Sequence, residues 1–180
     1  MLALTTTEAA AFTGLDERVV RKDVEQGVLE PGSPPRFAEV ALVYFRACAS
    51  FAFHLDVQDR KRLYAVIADA QKRQLARLDL GSGWSLDVST LSADLHARIA
   101  RFEEWRRALV TRDEILGGEP VFPGTRLAVR HVGEMLLRGA DPNEVREDYP
   151  ALTEQDMEFA RLFVAAYPRV EKPRDQAAAR

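Results

Sequence analysis

The sequence predicts a mainly α protein with short β-hairpins, built as two helix-turn-helix-like units joined by a helix-strand-helix connector. Three observations lead there. Capped helix starts recur at Thr5-x-x-Glu8, Asp141-Pro142-Asn143-Glu144 and Thr153-x-x-Asp156, each setting a side-chain acceptor ahead of the first unpaired amide groups of a helix. Gly14, Gly27 and Gly139 follow short apolar-periodic stretches, where a chain leaving a helix adopts left-handed angles. Apolar alternation is confined to brief stretches beside Gly or Pro, at residues 84–88 and on either side of Pro123-Gly124.

In the first segment, residues 1–54, Thr5 and Glu8 form a capping box that opens a helix through Ala9, Ala10 and Phe12. Gly14 turns the chain. A second helix starts near Asp16, with Val19, Val20 and Val24 facing inward and Glu17, Arg18, Arg21, Lys22 and Glu25 left to solvent. Two short helices about a glycine turn predict helix-turn-helix, and the turn-rich stretch 28–37 fits a small wing before a further helix from Ala38.

Residues 55–108 read as the connector. A long helix is predicted from Asp56 to Leu80, using Leu63, Ile67, Ala70 and Leu78 inward and Arg60, Lys61, Arg62, Lys72, Arg73 and Arg77 on a basic outer face. Gly81 and Gly83 mark a break. Residues 84–88 alternate as a half-buried strand, pairing either with residues 109–110 or with the hairpin at Val121. A helix follows whose inner stripe is Leu95, Ile99, Phe102 and either Trp105 or Arg106.

Residues 109–167 predict a hairpin and three helices. Gly117-Gly118 reverses the backbone, and Pro123-Gly124 suits the centre of a type II turn between arms 121–122 and 127–128. Val129, Val132 and Leu136 then recur at helical spacing, Asp141-Pro142 starts a short helix ending at Tyr149-Pro150, and Thr153 caps a last helix with Leu152 stapled to Met157. That helix begins with Glu154, Asp156 and Glu158, which repel phosphate and suit a protein-binding or dimer face. Arg126, Arg130, Arg138 and Arg146 surround the earlier elements, available to phosphate, to acidic protein or to surface ion pairs. Residues 168–180 predict a flexible basic tail.

Composition bounds the function. With 180 residues, 47% hydrophobic and 29% charged, the chain can bury a core in one or two domains. The apolar run at 40–53 is interrupted by Arg46 and too short to span a bilayer, and the start of the chain lacks a basic leader, so the expectation is a cytoplasmic protein without a membrane partner. The single cysteine, Cys48, reads as a small buried hydrophobe. His54, His96 and His131 are scattered, the adjacent acids at 103–104 and 147–148 diverge on helices, and Gly117-Gly118 lacks the Lys-Ser/Thr of a phosphate loop. No catalytic residue, metal or cofactor is expected, and the protein is not read as an enzyme. The net charge of -3 gives no general pull toward nucleic acid. Residues 1–54 carry five cations against seven acids, so DNA binding would need a local patch, doubled in a homodimer.

The motif I-L-G-G-E-P-V-F-P-G-T-R at 115–126, followed by R-G-A-D-P-N-E-V at 138–145 and D-Y-P-A-L-T-E-Q-D at 148–156, resembles the family of the domain of unknown function 433 (DUF433). Members of that family resemble VapB-type antitoxins. The resemblance implies an antitoxin of a type II toxin-antitoxin system that binds and inhibits a PIN-like ribonuclease toxin and binds operator DNA to repress its own operon. The stretches T-T-T-E-A-A-A-F-T-G-L and V-E-Q-G-V-L, followed by P-R-F, are similar to the winged N-terminal domain of MerR-type regulators and excisionases. This second resemblance implies that Arg18, Arg21 and Lys22 enter the major groove while Arg36 of the wing meets phosphate, against Asp16, Glu17, Asp23 and Glu25 nearby. A PIN-like nuclease holds metal with clustered carboxylates, so Arg169, Lys172 and Arg174 of the tail are the expected toxin-binding residues. Two alternatives stand beside the antitoxin: a free-standing MerR-like regulator, and an inhibitor that never touches DNA.

Overall fold

A computed structural model describes residues 3–81 and 83–169, and each capped start forms as its chemistry dictates. At α1 (Thr6–Thr13) the Thr5 hydroxyl accepts from the Glu8 amide at 3.3 Å, while the Glu8 carboxylate accepts from the Thr5 amide at 2.8 Å. Asp16 caps α2 (Glu17–Glu25), and Asp56 caps α4 (Val57–Lys72), which follows α3 (Glu39–Ser50). Asp87 caps α5 (Val88–Ala108), Asp141 caps α7 (Pro142–Asp148) after α6 (Val129–Leu137), and Thr153 closes a capping box on α8 (Glu154–Ala166). With the antiparallel pair β1 (Arg77–Gly81) and β2 (Trp84–Asp87), these eight α-helices give the described residues a mainly helical fold with one two-stranded sheet. No helix among the described residues is long and apolar enough to cross a membrane.

The connector differs from its sequence reading. The helix expected to reach Leu80 stops at Lys72, and the strand expected at 84–88 pairs with the chain just before it, Leu86 opposite Leu78, rather than with residues 109–110 or Val121. The stop is made without glycine. Gln74 takes a positive φ of 55°, the Leu75 amide reaches back to the Ala70 carbonyl at 2.9 Å, and the Gln74 amide bonds to Gln71 at 3.2 Å, the paired bonds of a Schellman motif. Beyond it Arg77-Leu78-Asp79-Leu80 alternates with period two, and Gly81 and Gly83 carry the positive φ of the hairpin turn.

The C-terminal hairpin forms as expected. Val121 bridges Val110 on one side and Ala128 on the other, and the Thr125 amide bonds to the Phe122 carbonyl at 3.1 Å across Pro123-Gly124, with φ 73° at the glycine. Gly117 and Gly118 likewise sit at positive φ in a short 3-10 turn.

One apolar core runs through all three segments. Phe102 of α5 is its centre: Phe12 of α1 meets it edge-on at 5.2 Å between ring centroids, Phe159 of α8 at 5.7 Å, and Trp105 lies beside it, taking the stripe position left open between Trp105 and Arg106. The Trp105 indole N–H donates to Asp156 at 2.8 Å. The apolar side of α8 packs into the core, while Glu154 and Glu158, read as a protein-binding or dimer face, remain exposed. Phe159, Ala160, Leu162, Phe163 and Val164 are buried, and the helix lies between α6 and α1. It approaches α6 so closely that a Cβ at Gly133 would stand 2.3 Å from the Ala160 carbonyl oxygen.

Candidate nucleic-acid interface

Gly14, at φ 80°, closes α1 and swings the chain directly into the Asp16 cap of α2. Arg18, Arg21 and Lys22 are all exposed on α2, as the sequence reading placed them. They are not equivalent. The Arg21 guanidinium lies 2.5 Å from the Glu17 carboxylate one turn back, a surface pair that holds it along the helix, whereas Arg18 and Lys22 have no ion-pair partner among the described residues. Val19, expected to face inward, is 36% exposed between them. An exposed helical patch of two cations about a valine offers groups for guanine edges, phosphates and a thymine methyl.

The inner side of α2 carries a network that the sequence reading missed. Asp23, grouped with the acids that oppose DNA, is only 1% exposed and points into the protein. The Tyr44 hydroxyl of α3 donates to its carboxylate at 2.8 Å, and Arg60 of α4 pairs with the other oxygen. Arg60 also donates to Gln26 at 2.7 Å. Two helices, α3 and α4, are thus tied to α2 at one point, and Arg60 leaves the basic outer face assigned to it. Burial pushes the Asp23 carboxyl above its ordinary range, opposed by the Tyr44 hydrogen bond and the Arg60 charge. The same burial raises the Tyr44 phenol, keeping it a donor, and pushes the neighbouring Cys48 thiol up to about 11, so Cys48 is no thiolate nucleophile at neutral pH. The signal was present in the pattern: position 23 lies one turn from Val20 on the inward stripe, where an acid requires a partner.

The turn-rich stretch expected as a small wing is a loop closed by a bridge to Leu4. Val28 and Leu29 are buried at its start, and Phe37 at its end exchanges both backbone bonds with Leu4, at 2.8 and 3.1 Å. Arg36, immediately before that bridge, is exposed. The remaining basic residues are mostly committed elsewhere. Arg62 and Arg73 pair with Asp59 and Asp69 on α4 at 3.3 Å each, Arg138 with Glu134 and Arg146 with Glu154 at 3.4 Å each. Arg130 donates to the Tyr167 carbonyl at 2.9 Å and lies over the Phe163 ring.

The expected toxin-binding set is divided. Arg169 pairs with Glu119, at the end of the 3-10 turn, instead of standing on a free tail. Lys172 and Arg174 lie outside the described residues. Arg169 and Glu119 help line a hollow of about 420 Å³ with Arg126, Arg130, His131 and Glu134, so the Gly-Pro-rich motif forms one wall of a mostly basic surface depression. His54, His96 and His131 are all exposed and far apart in the chain, and no group of three His, Cys, Asp or Glu side chains gathers among the described residues.

Similarity to known proteins covers both halves of the chain unequally. The uncharacterized protein y4eO of Sinorhizobium fredii (strain NBRC 101917 / NGR234) is 25% identical over 184 residues, spanning 92% of this chain and 81% of that protein. No solved structure matches. The family model described as "Protein of unknown function (DUF433)" matches residues 109–164, the stretch that holds the hairpin and its three helices.

Proposed function

We propose that the chain is a DNA-binding antitoxin: α2 reads operator DNA, and the DUF433 domain holds and inhibits a PIN-like ribonuclease toxin in the cytoplasm. The observation that carries the DNA half is the arrangement of α2. Its outer face offers Arg18, Val19 and Lys22, while its one fully buried acid is drawn inward by Tyr44 and Arg60. This weakens the electrostatic objection that the sequence raises, because Asp23 no longer confronts phosphate. The toxin half is supported by the hollow at the DUF433 motif, where exposed Arg126 suits a partner whose catalytic pocket is rich in carboxylates. The similarity to y4eO, running across both halves, supports reading them as parts of one device.

Binding to the DNA upstream of the gene should weaken about tenfold or more for Arg18→Ala/Lys22→Ala in a gel shift, since a lost base contact costs roughly 1–3 kcal/mol. Arg36→Ala should act differently, weakening all sequences alike and reducing the slope of log affinity against log salt by about 1. A wild-type protein that shifts no DNA at low salt would leave only the inhibitor that never touches DNA. For the toxin half, the chain is co-expressed with its immediate genomic neighbour. A stoichiometric complex with a small nuclease that is toxic alone is the expected result, and purification of this chain without any such partner would favour the free-standing MerR-like regulator.

A further inference from the structure

Three arginines gather beside the seam that joins α1, α5 and α8. Arg46 of α3 and Arg98 and Arg101 of α5 line a hollow of about 300 Å³, with Phe12 and Leu95 among its apolar lining. Arg98 and Arg101 lie three residues apart on one face of α5. The Arg46 guanidinium is held where it donates to the Thr13 carbonyl at 3.3 Å. Neither Arg46 nor Arg101 has an ion-pair partner among the described residues, and Arg98 meets only the Glu158 carboxylate of α8 at 3.7 Å, beyond hydrogen-bond distance.

Arg98 is withdrawn from water, and its Nε is enclosed with no hydrogen-bond partner among the described residues. Burial holds its pKa below the ordinary arginine value; Glu158 opposes that shift, and the like charges of Arg46 and Arg101 add to it. Such a trio repels itself, and an enclosed N–H without an acceptor calls for one. Arg60 is the contrasting case, since its Nε is also unpaired but the Asp23 carboxylate neutralises the group directly. The acids at the hollow are less committed. Glu158 is 54% exposed, and Asp94 is exposed and pairs with no cation among the described residues. Both can turn to water, with which the Arg98 Nε has no contact. A planar carboxylate suits one guanidinium fork, whereas a tetrahedral oxyanion has oxygens for several forks arriving from different helices. We propose that Arg46, Arg98 and Arg101 form a binding site for the phosphate group of a small ligand, which displaces the Glu158 carboxylate as it enters. The hollow is larger than the ion itself, so the small organic body of a phosphate monoester fits beside Phe12 and Leu95. The site does not depend on α2 reading DNA or on residues 109–164 holding a toxin.

Isothermal titration of the full chain with inorganic phosphate, against sodium chloride at matched ionic strength, tests the site. Saturable heat is expected with phosphate alone. Arg98→Gln and Arg101→Gln should each weaken the affinity about tenfold or more, as loss of a charge-assisted hydrogen bond does. Arg101 is exposed, so its variant carries the test if Arg98→Gln fails to fold. Glu158→Gln removes the competing carboxylate and should tighten binding about threefold or more. Arg107→Gln, at an exposed arginine of α5 outside the hollow, should leave the affinity unchanged. Absence of saturable heat with phosphate overturns the proposal. So does equal weakening by Arg107→Gln, or a gel shift weakened by Arg98→Gln without any phosphate heat, which would give these arginines to the DNA backbone.

Discussion

Gly133→Ala is expected to destabilise the protein by about 3 kcal/mol, an overpacking cost at the upper end of the usual range. In a helix interior alanine is ordinarily the better residue by roughly 1 kcal/mol, so the local effect runs the other way and a net loss isolates the steric term. That term is large because the added methyl meets backbone: the Ala160 carbonyl oxygen at 2.3 Å and its carbon at 2.8 Å, with Val164 Cγ2 at 2.6 Å. A side-chain tip can rotate away, but a carbonyl on the adjoining helix moves only if α6 and α8 separate. Thermal unfolding should show a midpoint lowered by about 10 °C, given that 1 kcal/mol moves a chain of this size by roughly 2–4 °C. Gly32→Ala is the control, since nothing lies within 4 Å of the added atom, and it should stay within about 0.5 kcal/mol of wild type. Equal stability of Gly133→Ala and wild type would mean that the two helices are not in this contact.

The second large effect is expected at Arg60. Removing one member of a buried ion pair leaves the other charge without compensation, at a cost of about 3–5 kcal/mol, and Asp23 is almost fully enclosed. The dependence on pH identifies the cause. Burial raises the Asp23 pKa above its value in the unfolded chain, so the folded state holds the proton more tightly. The stabilisation linked to that proton is complete below the ordinary carboxylate range and is lost as pH rises through the raised value. Arg60→Ala withdraws an opposing charge and moves the upper limit of this window higher. Denaturant unfolding should therefore show a smaller deficit at about pH 5 than at about pH 8, and Asp23→Asn placed on Arg60→Ala should recover much of the loss at the higher pH. A deficit independent of pH and untouched by Asp23→Asn would assign the loss to packing of the Arg60 stem instead.

Helix starts were legible because their chemistry is local. Thr5, Asp141 and Thr153 each satisfy amide groups within the next three residues, so a short window of sequence contains the whole cause. Stops were legible where glycine made them. Gly27 and Gly139 end α2 and α6 with the same pair of backbone bonds that Gln74 makes after α4, yet only the glycines announce it. The lost hairpin at β1 followed from that one residue, since a helix read past Gln74 absorbs the alternation of residues 77–80. What could not be read locally was partnership. Asp23 and Arg60 are far apart in the chain, and nothing beside either shows that they neutralise one another; the same separation concealed the bond between Trp105 and Asp156. The exposure of Arg18, Arg21 and Lys22 was legible because it follows from helical periodicity on α2. Arg169 was not, because its acidic partner comes from a turn fifty residues earlier.

The packing of α8 against α1, around Phe102, limits how this chain can change over generations. Neither half carries a complete apolar surface of its own: Phe12 is covered by α5, and α5 is covered in turn by Phe159. A DUF433 domain brought in from elsewhere would have to match the rings and small residues of a particular α1 as well as its own α6. The halves are thus poor cassettes for recombination. Substitution at exposed positions such as Arg18, Lys22 and Arg126 leaves that shared seam untouched.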